Sequence, residues 1–260
     1  MLPIWPRRSG MTTNKLNLDG QVAVVTGAAR GIGRATVDLL RARGARIVAS
    51  DIRNTVRDLE GSDIATLVGD VADEDVAKQT MALATQRFGR LDILVNNAGR
   101  TLNKPLVDTS VADWDAVMTT NARGAFVHSR EAVRVMAASG RGGAIVSVVS
   151  VVSAVAMKEL AAYAASKGAV AQLVKVIAAE YGRHGIRANA VAPGVVETDI
   201  LESTGVADSR ATLATFGDMH PIGRVAQTDE IAEVIAFLAS PASSFMTGAL
   251  VMADGGYTAI

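Results

Sequence analysis

The sequence contains no cysteine, which excludes disulfide bonds, thiolate metal ligands and cysteine nucleophiles together. It also lacks an excess of charge of one sign, because 26 Lys and Arg residues balance 26 Asp and Glu residues. We therefore expect no nucleic-acid partner and no attraction to anionic membrane surfaces. The three histidines, His128, His184 and His220, have no spacing typical of metal ligands, so no metal is expected.

Long hydrophobic runs are missing as well. The longest, Ala144–Met157, has about 14 residues and includes three serines, whereas a membrane-spanning helix needs roughly 20 apolar residues. We therefore expect no membrane partner. Residues 1–14 lack the apolar core of a secretory signal, and we interpret them as a flexible N-terminal arm. A cytoplasmic location is the expectation that fits these features.

Short runs rich in Val and Ile alternate with longer segments of helical periodicity. The predicted strands are 22–25, 46–50, 64–68, 93–96, 144–148, 187–191 and 250–252, and the predicted helices are 31–43, 73–88, 110–138, 163–181 and 228–239. This alternation is typical of a parallel sheet covered by helices on both faces. We predict an α/β protein with a three-layer, doubly wound Rossmann fold and a seven-stranded parallel sheet, in a single domain over residues 15–260. Residues 197–223 have no strand pattern and are predicted to form a substrate lid.

A glycine-rich turn follows the first predicted strand and leads into the first predicted helix. Gly27, Gly31 and Gly33 provide the backbone freedom that such a turn needs. Glycines let the backbone approach a pyrophosphate, and the helix N-terminus offers free N–H groups and a partial positive charge. The turn therefore predicts a dinucleotide-binding site.

Asp51 ends the second predicted strand, about 18 residues after the turn. A carboxylate there can accept hydrogen bonds from the adenosine ribose hydroxyls and would repel a 2′-phosphate, which favours NAD over NADP. Arg30 and Arg53 argue the other way, since either could pair with a phosphate. Asp70 ends the third strand, where it could contact the adenine amino group or cap the helix that follows.

Tyr163 and Lys167 lie four positions apart on a predicted helix, so they share one face. Ser150, about 13 residues earlier, lies at the carboxyl end of the fifth predicted strand. Ser153 offers a second hydroxyl nearby, and the spacing is the reason for preferring Ser150.

Over residues 18–257 these features resemble the short-chain dehydrogenase/reductase family, in its single-domain branch. The resemblance is carried by Thr26–Gly33, Asn96–Gly99, Asn121, Ser150, Tyr163 with Lys167, Pro193-Gly194 with Thr198, and Asp254–Gly256. It implies an enzyme that transfers a hydride between NAD(H) and a secondary alcohol or ketone. It also implies a homotetramer.

The resemblance assigns four catalytic residues. Tyr163 would be the general acid/base; because a free tyrosine has a pKa of about 10, the Lys167 ammonium would have to lower it. Ser150 would donate a hydrogen bond to the substrate oxygen. Asn121 would hold a water that links Lys167 to solvent.

The resemblance and the turn together assign the binding residues. The predicted cofactor contacts are Gly27, Arg30, Gly31, Ile32, Gly33, Asp51, Ile52, Asp70, Val71, Asn97, Ala98, Gly99, Tyr163, Lys167, Pro193, Gly194, Val196 and Thr198. The predicted substrate contacts are Ser150, Val152 and Tyr163. The lining predicted from residues 151–160 and the lid is mainly small and apolar, which favours an uncharged secondary alcohol or ketone.

Three alternatives stay open at this point. A 3-oxoacyl-carrier-protein reductase would share the resemblance, but Asp51 weighs against its usual NADPH. A non-catalytic NAD(H) sensor would be expected to lose the proton-transfer residues, which are all present. A methyltransferase would share the first turn but would have no use for Tyr163 and Lys167.

Overall fold

The structure is a computed structural model that describes residues 15–260. The predicted N-terminal arm, residues 1–14, lies outside the described residues. Seven parallel strands form one sheet in the order β3-β2-β1-β4-β5-β6-β7. They are β1 Val22–Thr26, β2 Arg46–Asp51, β3 Ile64–Val68, β4 Ile93–Asn96, β5 Gly143–Val148, β6 Ile186–Pro193 and β7 Leu250–Ala253. The predicted seven-stranded parallel sheet is confirmed.

Helices cover both faces of the sheet. They are α1 Gly31–Ala42, α2 Glu74–Phe88, α3 Val111–Met118, α4 Gly124–Ser139, α5 Ala161–Tyr181, α6 Ser209–Ala214 and α7 Thr228–Ala239. One core joins α1 and α7 to one face of the strands, and a second core joins α2, α4 and α5 to the other. Successive residues of β1, such as Val24 and Val25, belong to opposite cores, as strand geometry requires. The predicted doubly wound architecture is confirmed.

The predicted helix over residues 110–138 is not one regular helix. A π-helical segment, Thr119–Arg123, separates α3 from α4. The start is as predicted, because the Ser110 hydroxyl accepts a hydrogen bond from the Asp113 N–H at 3.1 Å. Helical periodicity does not reveal a π segment, since one extra residue in a turn leaves the apolar pattern on either side nearly unchanged. This segment contains Asn121.

The strand order changes direction between β1 and β4, which are neighbours in the sheet although two strands separate them in sequence. In an open parallel sheet, such a point leaves a crevice at the carboxyl ends of the strands. Residues 197–223 pass close to this end as short helical turns and α6, without a strand. Among residues 15–260, no helix combines the length and hydrophobicity required to cross a membrane.

Candidate active site

One cavity of about 840 Å³ extends along the carboxyl ends of the strands. Every predicted cofactor residue except Gly33 lines it, from Asp51 at one end to Tyr163 and Lys167 at the other. Ser150 and Val152, predicted to contact substrate, also line it. The residues that the sequence singled out are thus brought together, although they come from widely separated parts of the chain.

The glycine turn leaves no room for side chains. Gly27 has a φ of +66°, and a Cβ on this residue would lie 2.8 Å from Ala98 Cα. A Cβ on Gly33 would lie only 2.0 Å from the Gly27 carbonyl oxygen. Gly33 therefore does not line the cavity itself. Its lack of a side chain lets α1 start directly against the turn. A bare backbone that leads into a helix N-terminus fits the pyrophosphate of a dinucleotide cofactor.

Asp51 is fixed at the far end of the cavity. Its Oδ2 accepts a hydrogen bond from Ala29 N–H at 3.0 Å, and its Oδ1 accepts one from Arg53 N–H at 2.9 Å. The residue is 5% exposed, so little water screens its charge. Asp70 faces the same end, and its Oδ1 accepts a hydrogen bond from Ala72 N–H. It is Asp73, not Asp70, that caps α2.

The two arginines that could have favoured a phosphate already have acidic partners. Arg30 forms an ion pair with Glu202 of the predicted lid and donates to the Asp199 carbonyl oxygen at 3.2 Å. The Arg53 guanidinium lies 3.7 Å from the Asp51 carboxylate. Neither guanidinium is a free positive charge at the Asp51 end of the cavity.

Tyr163 lies at the opposite end of the cavity, in the first turn of α5. Burial raises the pKa of Tyr163 to about 12, and a hydrogen bond with the Ser150 side chain opposes this rise. The Ser153 hydroxyl instead donates to the Ser150 carbonyl oxygen at 2.6 Å. Ser150, and not Ser153, is thus the serine that influences the Tyr163 pKa and lines the cavity. The predicted effect of Lys167 on the Tyr163 pKa stays a prediction.

Lys167 is 5% exposed and lies one turn further along α5. Its Nζ donates to the Val148 carbonyl oxygen at 2.8 Å and lies 5.7 Å from the centre of the Tyr163 ring. Burial lowers the pKa of Lys167 to about 8, because the charged form is poorly solvated. One accepting oxygen leaves the other ammonium hydrogens available to a ligand in the cavity.

Asn121 is buried in the π segment, close to this group. Its Oδ1 accepts from Arg100 N–H at 2.9 Å, and its Nδ2 donates to the Arg100 carbonyl oxygen and to Ser166 Oγ, both at 2.9 Å. A Cβ on Gly99 would lie 3.3 Å from Lys167 Nζ and 3.4 Å from Asn121 Oδ1. Asn121 therefore lies beside Lys167, but its amide is mainly used to hold the segment that contains Arg100. The predicted water relay stays a prediction.

The remaining walls near Tyr163 are largely apolar. They include Val151, Val152, Met157, Leu160, Leu201 and Phe216, as predicted. Three other predicted positions, Ala154, Val155 and Ala156, do not line the cavity. They lie where the chain turns away between Ser153 and α5.

Two further residues matter here that the sequence did not single out. His220 does not line the cavity but supports its wall: it is buried, and its Nε2 accepts a hydrogen bond from Val195 N–H at 3.1 Å, which ties the predicted lid to the loop after β6. Arg100 lines the cavity. Its position directly after the Asn97-Ala98-Gly99 turn was the one available signal.

Comparisons with known proteins agree with this geometry. A family model described as enoyl-(acyl carrier protein) reductase matches residues 27–258. A cis-4-hydroxycyclohexanecarboxylate dehydrogenase of Sinomonas cyclohexanicum is 44% identical, over 92% of this chain and 97% of the relative. A 3-oxoacyl-(acyl-carrier-protein) reductase of Thermotoga maritima is 39% identical, over 93% of this chain and 99% of the relative. The crystal structure of a short-chain type dehydrogenase/reductase from Mycobacterium marinum superposes with a TM-score of 0.87 at 28% identity, covering 95% of this chain and 99% of that one.

The chain belongs to the short-chain dehydrogenase/reductase family. It is an NAD(P)-dependent oxidoreductase that acts on CH–OH groups of small molecules. The resemblance seen in the sequence is confirmed.

Proposed function

We propose that this enzyme interconverts a secondary alcohol and its ketone, uses NAD(H) in preference to NADP(H), and employs Tyr163 as general acid/base. The observation that carries the proposal is that Tyr163, Ser150 and the buried Lys167 line one cavity, whose lining also includes Asp51. When bound, the nicotinamide supplies or accepts the hydride.

The protonation states suit ketone reduction directly. With a pKa of about 12, Tyr163 carries its proton at neutral pH and can donate it to a substrate oxygen. Ser150, which lines the same cavity, would donate a second hydrogen bond and stabilise negative charge on that oxygen. In the oxidising direction Tyr163 must accept a proton, which requires a lower pKa. A closer approach of the Lys167 ammonium would provide this.

Asp51 supports the preference for NAD. Its two carboxylate oxygens are fixed by backbone N–H groups, so the carboxylate cannot swing away from a 2′-phosphate. A rigid, buried negative charge repels that phosphate more strongly than an exposed one. The pairing of Arg30 with Glu202 and of Arg53 with Asp51 supports the same preference. Reductases that act on acyl-carrier protein with NADPH are the second candidate, favoured by the Thermotoga maritima relative.

A homotetramer is the assembly we propose, as the resemblance implied. Trp114 on α3 and Phe126 on α4 are partly exposed apolar side chains, and Phe245, Met252 and Ile260 expose others near the last strand. Apolar side chains on two separate surfaces are suited to burial between copies of the chain. Light scattering coupled to size-exclusion chromatography measures the assembly directly, and a monomeric mass contradicts it.

The function is tested by assaying secondary alcohols and ketones of varied size with NADH and NADPH, following absorbance of the reduced nicotinamide. The account predicts turnover of some ketones, with a kcat/KM for NADH at least about tenfold above that for NADPH. A preference for NADPH, together with turnover of 3-oxoacyl thioesters, would favour the second candidate. Tight NADH binding without turnover of any substrate would favour a sensor.

A further inference from the structure

Among residues 15–260, the Arg100 side chain is a positive charge without an acidic partner, and it lies at the end of the cavity that holds Lys167. Its side chain lines the cavity, and its Nε is buried without a hydrogen-bond partner. Within residues 15–260, no carboxylate lies within ion-pair distance of Arg100. Other arginines near the cavity, Arg30 and Arg53, are paired with acidic residues. A buried guanidinium nitrogen without a partner costs stability, so an anion that accepts a hydrogen bond from it would bind favourably.

The backbone holds Arg100 next to the catalytic group. Both its N–H and its carbonyl are bonded to the Asn121 side chain. The preceding residue, Gly99, is the one whose Cβ would touch Lys167 Nζ. The following residue, Thr101, accepts a 3.4 Å hydrogen bond from Ser203 of the lid. Arg100 is therefore fixed between Lys167 and the lid, on the side where a substrate would lie.

The charges along the cavity are arranged unevenly. The acidic residues among its described lining are Asp51, Asp70 and Asp199. The first two lie at the adenosine end, and Asp199 is bonded to Arg210 at 2.7 Å. The catalytic end thus has Arg100 and Lys167 but no free carboxylate, amid apolar walls. A guanidinium without an acidic partner in such surroundings can bind a carboxylate through two parallel hydrogen bonds.

We propose that Arg100 binds a carboxylate group of the substrate, so that the enzyme acts on a hydroxy acid or keto acid whose remaining surface is apolar. This inference rests on the proposed function and narrows its substrate class. It replaces the sequence-based expectation of an uncharged substrate. That expectation came from the apolar side chains of residues 151–160, and Arg100 lies outside that segment.

A binding experiment tests the inference without requiring turnover. The NADH-bound enzyme is titrated by calorimetry with acids of increasing size, such as propanoate, cyclohexanecarboxylate and benzoate, and with the matching amides. We expect at least one acid to bind about ten to a hundred times more tightly than its amide. We expect Arg100→Gln to remove that difference, Arg100→Lys to retain part of it, and Arg141→Gln, at an exposed arginine, to leave it unchanged.

Kinetics then separate this inference from the proposed function. The matched substrates are 4-oxocyclohexanecarboxylate and its methyl ester, which lacks the negative charge. Arg100→Gln should raise KM for the acid about tenfold or more, and it should leave kcat/KM for the ester within about threefold of the wild-type value. Equal losses for acid and ester, or no acid bound more tightly than its amide, overturn the role of Arg100. Acids that bind through Arg100 without any ketone being reduced overturn the proposed function instead.

Discussion

His128 is a histidine in α4 that is completely buried, with its Nδ1 donating to the Gly124 carbonyl oxygen at 3.1 Å. Burial lowers the pKa of His128 from 6.5 to about 4, although backbone carbonyls of Gly124 and Val71 oppose the shift. The folded protein therefore keeps the imidazole neutral where an unfolded chain would protonate it. We predict that this difference makes the enzyme lose stability in mild acid.

The sign and size of this loss of stability follow from the difference between the folded and unfolded pKa values of His128. Because the folded pKa is depressed, the contribution is fully present above pH 6.5 and is lost as the pH falls toward about 4. Between these two values, each pH unit lowers the free energy of unfolding by about 1.4 kcal/mol. From pH 7 to pH 4.5, His128 alone should remove roughly 2 kcal/mol.

Urea denaturation across this pH range, followed by circular dichroism, measures the effect. His128→Gln keeps a donor for the Gly124 carbonyl but cannot titrate, so its stability should fall by roughly 2 kcal/mol less than that of the wild type. His184 is exposed, and His184→Gln serves as the matched control with an unchanged pH dependence. Parallel curves for the wild type and His128→Gln would refute the reasoning.

Three further predictions concern Asp51 and two glycines, one beside the cofactor turn and one in α5. Asp51→Ala should lower the ratio of kcat/KM for NADH to that for NADPH by about tenfold or more, because the fixed negative charge is lost; an unchanged ratio in steady-state assays would contradict the role of Asp51. Gly33→Ala should weaken NADH binding, measured by fluorescence titration, by about tenfold or more, because the new Cβ would lie 2.0 Å from the Gly27 carbonyl oxygen. Gly168 lies in α5, where an added Cβ would have no atom within 4 Å. Gly168→Ala should therefore raise the free energy of unfolding by up to about 1 kcal/mol, and a destabilised variant would contradict this expectation.

Much of the fold could be predicted because its periodicities are local. The buried strands are continuous apolar runs, and Tyr163 and Lys167 share a helix face at a spacing of one turn. The alternation of strands and helices determined the layers, and the position of Asp51 at a strand end placed it at the cavity.

The remainder depends on contacts between distant segments. The bond from Val195 N–H to His220 and the pairing of Arg30 with Glu202 join the predicted lid to the cavity wall across long sequence separations. The start of α7 at Thr228 is as predicted, but the contact that caps it, in which Gln227 N–H donates to Glu230 at 2.9 Å, was not. No local pattern distinguishes such partners from ordinary exposed polar residues.

The central claim is that Tyr163 transfers the proton while the cavity binds the cofactor independently of it. Replacing Tyr163 with Phe removes only the hydroxyl, so NADH should bind with unchanged affinity while kcat for the best ketone falls about a thousandfold. Measuring both NADH affinity and ketone turnover on the Tyr163→Phe variant tests this claim. Tight NADH binding with turnover close to that of the wild type would contradict the account.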